Sequence, residues 1–254
     1  MPRKKKETAN QFARETGGPA GQAGLPAYPI EGGAGLEHIS REDIIIPRIV
    51  LIQPTSQIEG VEQGVFYMNL TGESFDTVEA VFLKVTKGRV LFAEDRTEQK
   101  PLCGSSDRMK PSPRFENPMA ALCAECDYGK WNSKKPPGCN ETYNLLGVML
   151  PDDIPFWWSV KSTAISPTKR FISAIALRPQ KNLFDAKITM RSQLVTQPGK
   201  KYHVPAYTLT WLKDSSLYAD LYTKYSHEEI DRTFVAEEAA TTNGQDFDWQ
   251  TGEE

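Results

Sequence analysis

Four cysteines, Cys103, Cys123, Cys126 and Cys139, constrain this chain more than any other feature. They fall in a loop-like stretch at about 94–140 that holds six prolines and little apolar material from which to build a core. Burial cannot order such a stretch, so something else has to hold it. A structural zinc ion takes four tetrahedral ligands, and thiolates are among its best. The Cys123-Ala124-Glu125-Cys126 pair sets two sulfurs on one tight knuckle, and intervals of 19 and 12 residues let Cys103 and Cys139 fold back to it. Metal ligation supplies on the order of 10 kcal/mol in small zinc peptides, enough to order a loop of this kind. The expectation is a structural Zn2+ held by these four cysteines; a full thiolate shell leaves no open position for a catalytic water. The competing readings are a redox pair at Cys123 and Cys126, or four unrelated buried thiols. The βαβ pattern that normally surrounds a redox CxxC is missing.

The thiols also bear on compartment. No run of about 18 apolar residues occurs, and the basic start MPRKKKETANQFARE lacks the apolar stretch of a secretory signal. A cytoplasmic protein with no membrane association is expected, and in a reducing compartment structural disulfides do not persist.

The ends differ in composition from the middle. Residues 1–36, rich in Gly, Pro, Ala and charge, cannot bury enough surface to offset chain entropy and are expected to be disordered. Residues 228–254 hold nine acids against Arg232 alone, a net charge of −8, which leaves the body at +5 with 29 basic and 24 acidic residues. This acidic end reads either as a solvated tail or as one that competes with an anionic ligand or docks partners. Asp246, Phe247, Asp248, Trp249, Glu253 and Glu254 are its candidate partner-binding residues, because aromatics set among acids are costly to leave in water.

Between the ends, 37–227 reads as one mainly β (α+β) domain. IIIPRIVLIQ from Ile44, interrupted by Pro47, suits an edge strand, and GVFYMNLTGESF carries a turn signal at Thr71-Gly72. Residues 78–85 and 89–92 predict one long or bent strand. After the cysteine stretch, strands are expected at 143–150 and 156–161 around a Pro151-Asp152-Asp153 turn, a helix at 163–177, strands at 186–195 and 202–212 around a basic turn at 197–201, and a short helix at 215–225. Counted from Val78, the order is three strands, a helix and two strands. That is the order of an OB-fold, a five-stranded partly open barrel. On this reading the cysteine stretch is a zinc-binding insertion between the first two strands, and the basic turn joins the last two.

Such loops are where an oligonucleotide is gripped, with basic side chains on phosphates and aromatic faces on unpaired bases. The candidate nucleic-acid contacts in and beside the insertion are Arg89, Trp131, Lys134 and Lys135. Trp157 and Trp158 must face opposite sides of their strand; Trp157, on the side of Ser159 and Lys161, is the expected stacking residue, with Lys161 beside it. In AKITMRSQLV, Lys187 and Arg191 share the face opposite Ile188, Met190 and Leu194, and Lys200, Lys201 and Tyr207 extend the basic and aromatic groove.

Catalysis has little support. His38, His203 and His227 are scattered, no His-x-Glu segment accompanies the CxxC as a deaminase requires, and no GxxxxGK[ST] phosphate loop occurs. A binding protein rather than an enzyme is expected. A zinc-containing transcription regulator or polymerase-binding protein is the alternative, although the basic recognition helix of duplex readers is not found.

Taken together, these features resemble the single-stranded DNA-binding proteins of tailed phages, which combine an OB-type body, in some members a cysteine-rich zinc insertion, and an acidic tail. The resemblance spans about 78–254 and lies in architecture. It implies largely sequence-independent binding that protects exposed strands during phage DNA replication and recombination in the host cytoplasm, with replication or recombination proteins recruited through the tail.

Overall fold

The computed structural model describes residues 36–227 apart from 37, 40–42, 57, 59, 93–100, 114 and 132–136. The expected disordered start (residue 36 aside), the acidic tail with its candidate partner-binding residues, and Lys134 and Lys135 therefore lie outside the described residues. The chain divides into two units, 1–45 and 46–254. In the first, Ile39 N–H donates to the Leu36 carbonyl in a short turn. The second holds every strand among the described residues.

That second unit is mainly β, a curled half-barrel sheet with two short helices. Its elements in chain order are β1 (Arg48–Leu51), β2 (Phe66–Met68), β3 (Ser74–Phe75), β4 (Thr77–Phe92), β5 (Pro101–Ser105), β6 (Asn140–Met149), β7 (Ile154–Lys161), α1 (Ile165–Ala176), β8 (Ala186–Gln197), β9 (Lys200–Trp211) and α2 (Ser216–Tyr225). The sheet runs β3-β2-β1-β7-β6-β4-β8-β9, with β5 also paired to β4. The sheet thus has nine strands rather than five. The stretch before Val78, whose role composition left open, supplies β1 to β3, and β1 lies parallel to β7.

β4 organises the sheet. One edge pairs with β6 from Ala80 to Val90; the other pairs with β8 at Thr77 to Val81 and with β5 from Arg89 onward. Val78, Ala80 and Phe82 face the core. At Leu83 the register with β6 slips by one residue, because Phe82 pairs with Gly147 and Lys84 with Leu146. Such a bulge bends a strand and adds twist, which lets one strand serve different partners at its two ends. Gly147 permits the close approach there, since a Cβ would sit 2.8 Å from the Phe82 ring and 3.0 Å from the Val81 carbonyl.

α1 packs beneath the curl. Thr168, Phe171 and Ile175 are its buried face, and Pro167 occupies its first turn, where no intrahelical donor is needed. Phe171 stacks on Tyr207 at 4.8 Å. A closed polar chain threads this core: Trp158 Nε1–H donates to Tyr207 OH (3.1 Å), Tyr207 and Thr168 share a 2.8 Å bond, and Thr168 Oγ1–H donates to the Ala164 carbonyl. Burial pushes the Tyr207 phenol up to about 12, against the opposing effect of its bonds to Thr168 and Trp158, so it stays protonated and serves as a structural link.

α2 is tied down through Asp185, at the end of a short 3-10 turn before β8. Its carboxylate accepts from Ser215 Oγ (2.6 Å) and from Asn182 N–H (2.7 Å). Burial alone would raise this carboxyl; the hydrogen bonds outweigh it and hold it below the usual range. α2 then lays Tyr218, Leu221 and Tyr225 over Val81, Leu83 and Val148 on the outer side of the sheet. Among the described residues no helix is long and apolar enough to cross a membrane.

Gln53, just past β1, joins this end of the chain to β9. Its side-chain amide donates to the His203 carbonyl (3.1 Å) and accepts from the His203 N–H (3.0 Å), copying a backbone pair. Gly64, at φ +84, leaves room for the His203 ring, which a Cβ would meet at 2.5 Å. Gln53→Ala removes both bonds, each worth about 0.5–1.5 kcal/mol. The variant should lose about 1–3 kcal/mol in urea denaturation, and an unchanged midpoint would show that this clip does not support the fold.

Candidate metal centre and nucleic-acid interface

The cysteine segment grows out of the far end of β4. Cys103 is on β5, buried, with Leu91 of β4 as its register partner. Cys123, Cys126 and Cys139 come from the loop beyond and are half-buried; none of the four is in a disulfide. The loop is built from its own polar contacts. Asp107 Oδ1 accepts from Ser105 Oγ and from the Met109 and Lys110 N–H groups, which together hold its carboxyl below the usual range. Cys123 N–H donates to the Met109 carbonyl and Cys139 N–H to the Tyr128 carbonyl. Residues 14 and 11 positions apart in the sequence are thus brought together.

All four cysteines line a single cavity of about 20 Å³, together with Arg89 and Leu91. A space of about 10–15 Å³ already accommodates one water, so this one suits a single small occupant. Burial pushes the Cys139 thiol up to about 11; the other three cysteines add to that rise, and Arg89 opposes it. The donor set is soft and suits zinc. Among the described residues, however, no three or more His, Cys, Asp or Glu side chains are drawn together as a formed metal-ligand group. The four line a common cavity without forming a closed coordination shell.

Several expected nucleic-acid contacts are placed otherwise. Trp157 is 4% exposed, packed with Leu146 against Ile46 and Tyr225. It lies on the face of β7 opposite Trp158, as expected, but Tyr225 at the end of α2 and Ile46 cover that face. Tyr207 points inward, into the Trp158–Thr168 chain. Arg89 turns toward the cysteine loop, donating from Nη1 to the Gly129 carbonyl at 3.2 Å. Lys187 is ion-paired to Glu79 at 2.9 Å, a contact that holds the Glu79 carboxyl below its ordinary range.

Other residues do face solvent. Trp131 is 78% exposed and Tyr128 50%, the latter within the 3-10 turn Asp127–Gly129 and the former two residues past it. Lys161 is exposed at the end of β7 and Arg191 on β8. Lys200 and Lys201 are exposed on the far side of the β8–β9 turn, where Gly199 adopts φ +74. By register, β8 meets the first residues of β4 and runs on past them, whereas β5 meets the last. The basic turn and the cysteine loop therefore belong to opposite ends of β4, and the sheet between them carries α2. A single open groove across Trp157, Lys187 and Tyr207 is not formed.

Sequence reasoning did not single out Met109, 68% exposed, or Met119 and Leu122, which extend the apolar surface of the loop. No periodicity marks them, because the loop has none. Lys130 adjoins Trp131 but is engaged with Asp127 and the Glu125 carbonyl.

Residues 20–230 match the profile of the Pam3 phage gp34-like protein family, so the chain belongs to that phage family. No curated protein and no solved structure matches it.

The two tryptophans should separate cleanly in denaturation experiments. Trp157→Ala should cost about 3–5 kcal/mol as a buried large-to-small change, and Trp131→Ala about 0.5 kcal/mol or less as an exposed one. Equal losses would contradict the burial described.

Proposed function

We propose that this member of the Pam3 phage gp34-like family is a single-stranded DNA-binding protein whose cysteine loop, ordered by a structural Zn2+, presents a base-stacking surface. The observation that carries the reading is the exposure of Trp131 and Tyr128 on that loop, while Trp157, Trp158 and Tyr207 are used inside or beneath the sheet. Leaving a tryptophan 78% in water gains nothing for folding, and aromatic faces stack on unpaired bases with little regard for sequence. The body's net charge of +5, with Lys110 beside the loop and Lys200 and Lys201 on the β8–β9 turn, supplies attraction for phosphates.

The strand order from β4 onward supports an OB-type body. β4, β6 and β7 are followed by α1, and β8 returns to the edge of β4 and leads into β9. In that scheme the cysteine loop follows the first strand and the β8–β9 turn joins the last two; because they belong to opposite ends of β4, the stacking surface is assigned to the cysteine loop alone. β1 to β3 are additions to it, and β1 takes the parallel place beside β7.

Cys103, Cys123, Cys126 and Cys139 would hold the metal. Bound there, the ion would tie three loop cysteines to one on the sheet and set the aspect of Tyr128 and Trp131. Its role is structural, and no step of chemistry is assigned to it.

Affinity for a short oligothymidylate should exceed affinity for duplex of the same length and fall steeply with salt, as counterion release requires. Trp131→Ala should weaken single-strand binding by about 1–3 kcal/mol; wild-type affinity would remove the loop from the interface. Chelation should release about one zinc per chain. It should also speed amide exchange across 109–131, notably at the Cys123 N–H, while 143–160 keeps its protection. Purified protein without metal would sink the zinc reading, and a preference for duplex would favour a transcription regulator instead.

A further inference from the structure

We propose that Arg89 is the positioning residue of the thiolate site, compensating its charge from the sheet side and holding the knuckle that carries Tyr128 and Trp131. The inference rests on the metal reading above and concerns a residue which that reading does not use.

Arg89 is on β4 where the strand is flanked on both edges, opposite Ser105 of β5 and Glu141 of β6. From there its side chain forms part of the same cavity wall as the four cysteines. The Nη1 group donates to the carbonyl of Gly129, the last residue of the 3-10 turn between Cys126 and Trp131. Gly129 suits this arrangement because a Cβ there would run into Arg89 Nη1 and would lie 3.3 Å from the Cys123 carbonyl. Glu141, the register neighbour of Arg89, is engaged by Arg108 at 2.8 Å.

Four thiolates around a divalent ion carry a net charge of about −2, and such charge is expensive next to a partly desolvated wall. A guanidinium in that wall offsets part of it. Its planar group keeps that charge at the cavity the four cysteines line while one Nη1 donor holds the Gly129 carbonyl. Groups just outside a metal's ligands typically change metal affinity by about 10–100-fold when removed. On this account Arg89 links the loop to the long central strand by charge as well as by a hydrogen bond.

The test uses full-length wild type, Arg89→Met and Arg89→Lys. Zinc affinity is measured by competition with a chromophoric chelator, and the Co2+-loaded forms are examined for thiolate-to-metal charge-transfer bands. The bands report whether the same sulfurs still bind, independently of affinity. Arg89→Met should bind zinc about 10–100-fold more weakly with its cobalt bands retained, and Arg89→Lys, which keeps the charge, should recover part of the loss. Arg89→Met within about twofold of wild type would overturn the proposal and leave the metal reading standing. Arg89→Lys as weak as Arg89→Met would overturn charge compensation. Wild-type protein that takes up neither zinc nor cobalt would remove the metal reading itself.

Discussion

The ladder along β4 is the interaction on which the rest of the structure depends. A single strand of 16 residues supplies one continuous edge to β6 and divides its other edge between β8 and β5. That division requires the strand to bend, and the extra residue at Leu83 is where it does so. β8 takes the first residues of that edge and β5 the last, so the cysteine loop leaves from the end of β4 opposite to the one past which the β8–β9 hairpin extends. The separation of the two proposed contact regions thus follows from the length of β4 and the register of its partners.

Burial of aromatic residues follows from the same curl. Phe66, Phe82, Phe156, Trp158 and Phe171 fill the inner side, and the polar atoms that accompany them are joined in the chain from Trp158 through Tyr207 and Thr168 to Ala164. A buried hydroxyl without a partner would cost more than the packing around it returns, so this chain is a condition for placing Tyr207 there. The outer side is covered as well, by Tyr218, Leu221 and Tyr225 of α2. With both faces in use, the sheet keeps few aromatic surfaces for a ligand. The exposed Tyr128 and Trp131 belong to a loop that contributes little to the buried core.

That loop is organised by polar contacts and a shared cavity. Asp107 sets its first turn, two backbone bonds bring Cys123 and Cys139 to Met109 and Tyr128, and Arg89 reaches across from β4 to Gly129. These bonds are few and partly exposed, so the loop gains little stability from them alone. On the proposed reading, a soft cation among the four thiols would add what they lack.

Much of the fold was legible in the sequence because it rests on local pattern. Alternating β-branched and aromatic residues located β4, β6, β7, β8 and β9, the spacing of Ile165, Phe171, Ile172 and Ile175 located α1, and Pro151-Asp152-Asp153 and Pro198-Gly199 marked the turns. Cysteine spacing pointed to a common site, and all four line one cavity. Pattern also assigned Trp157, Lys187 and Arg191 to the outward side of their strands. What it does not contain is what lies on that side. Alternation records direction within a strand, whereas burial depends on which distant segment packs there; α2 and Ile46 cover Trp157, and Glu79, 108 residues away, pairs with Lys187. Arg89 shows the same division, since strand position set its place while contacts made 40 residues away set its role. The sequence by itself determined most of the strands and the turns, because those depend on neighbours in the chain. Only the tertiary structure decided which aromatic and basic groups are left facing water, because that depends on neighbours in space.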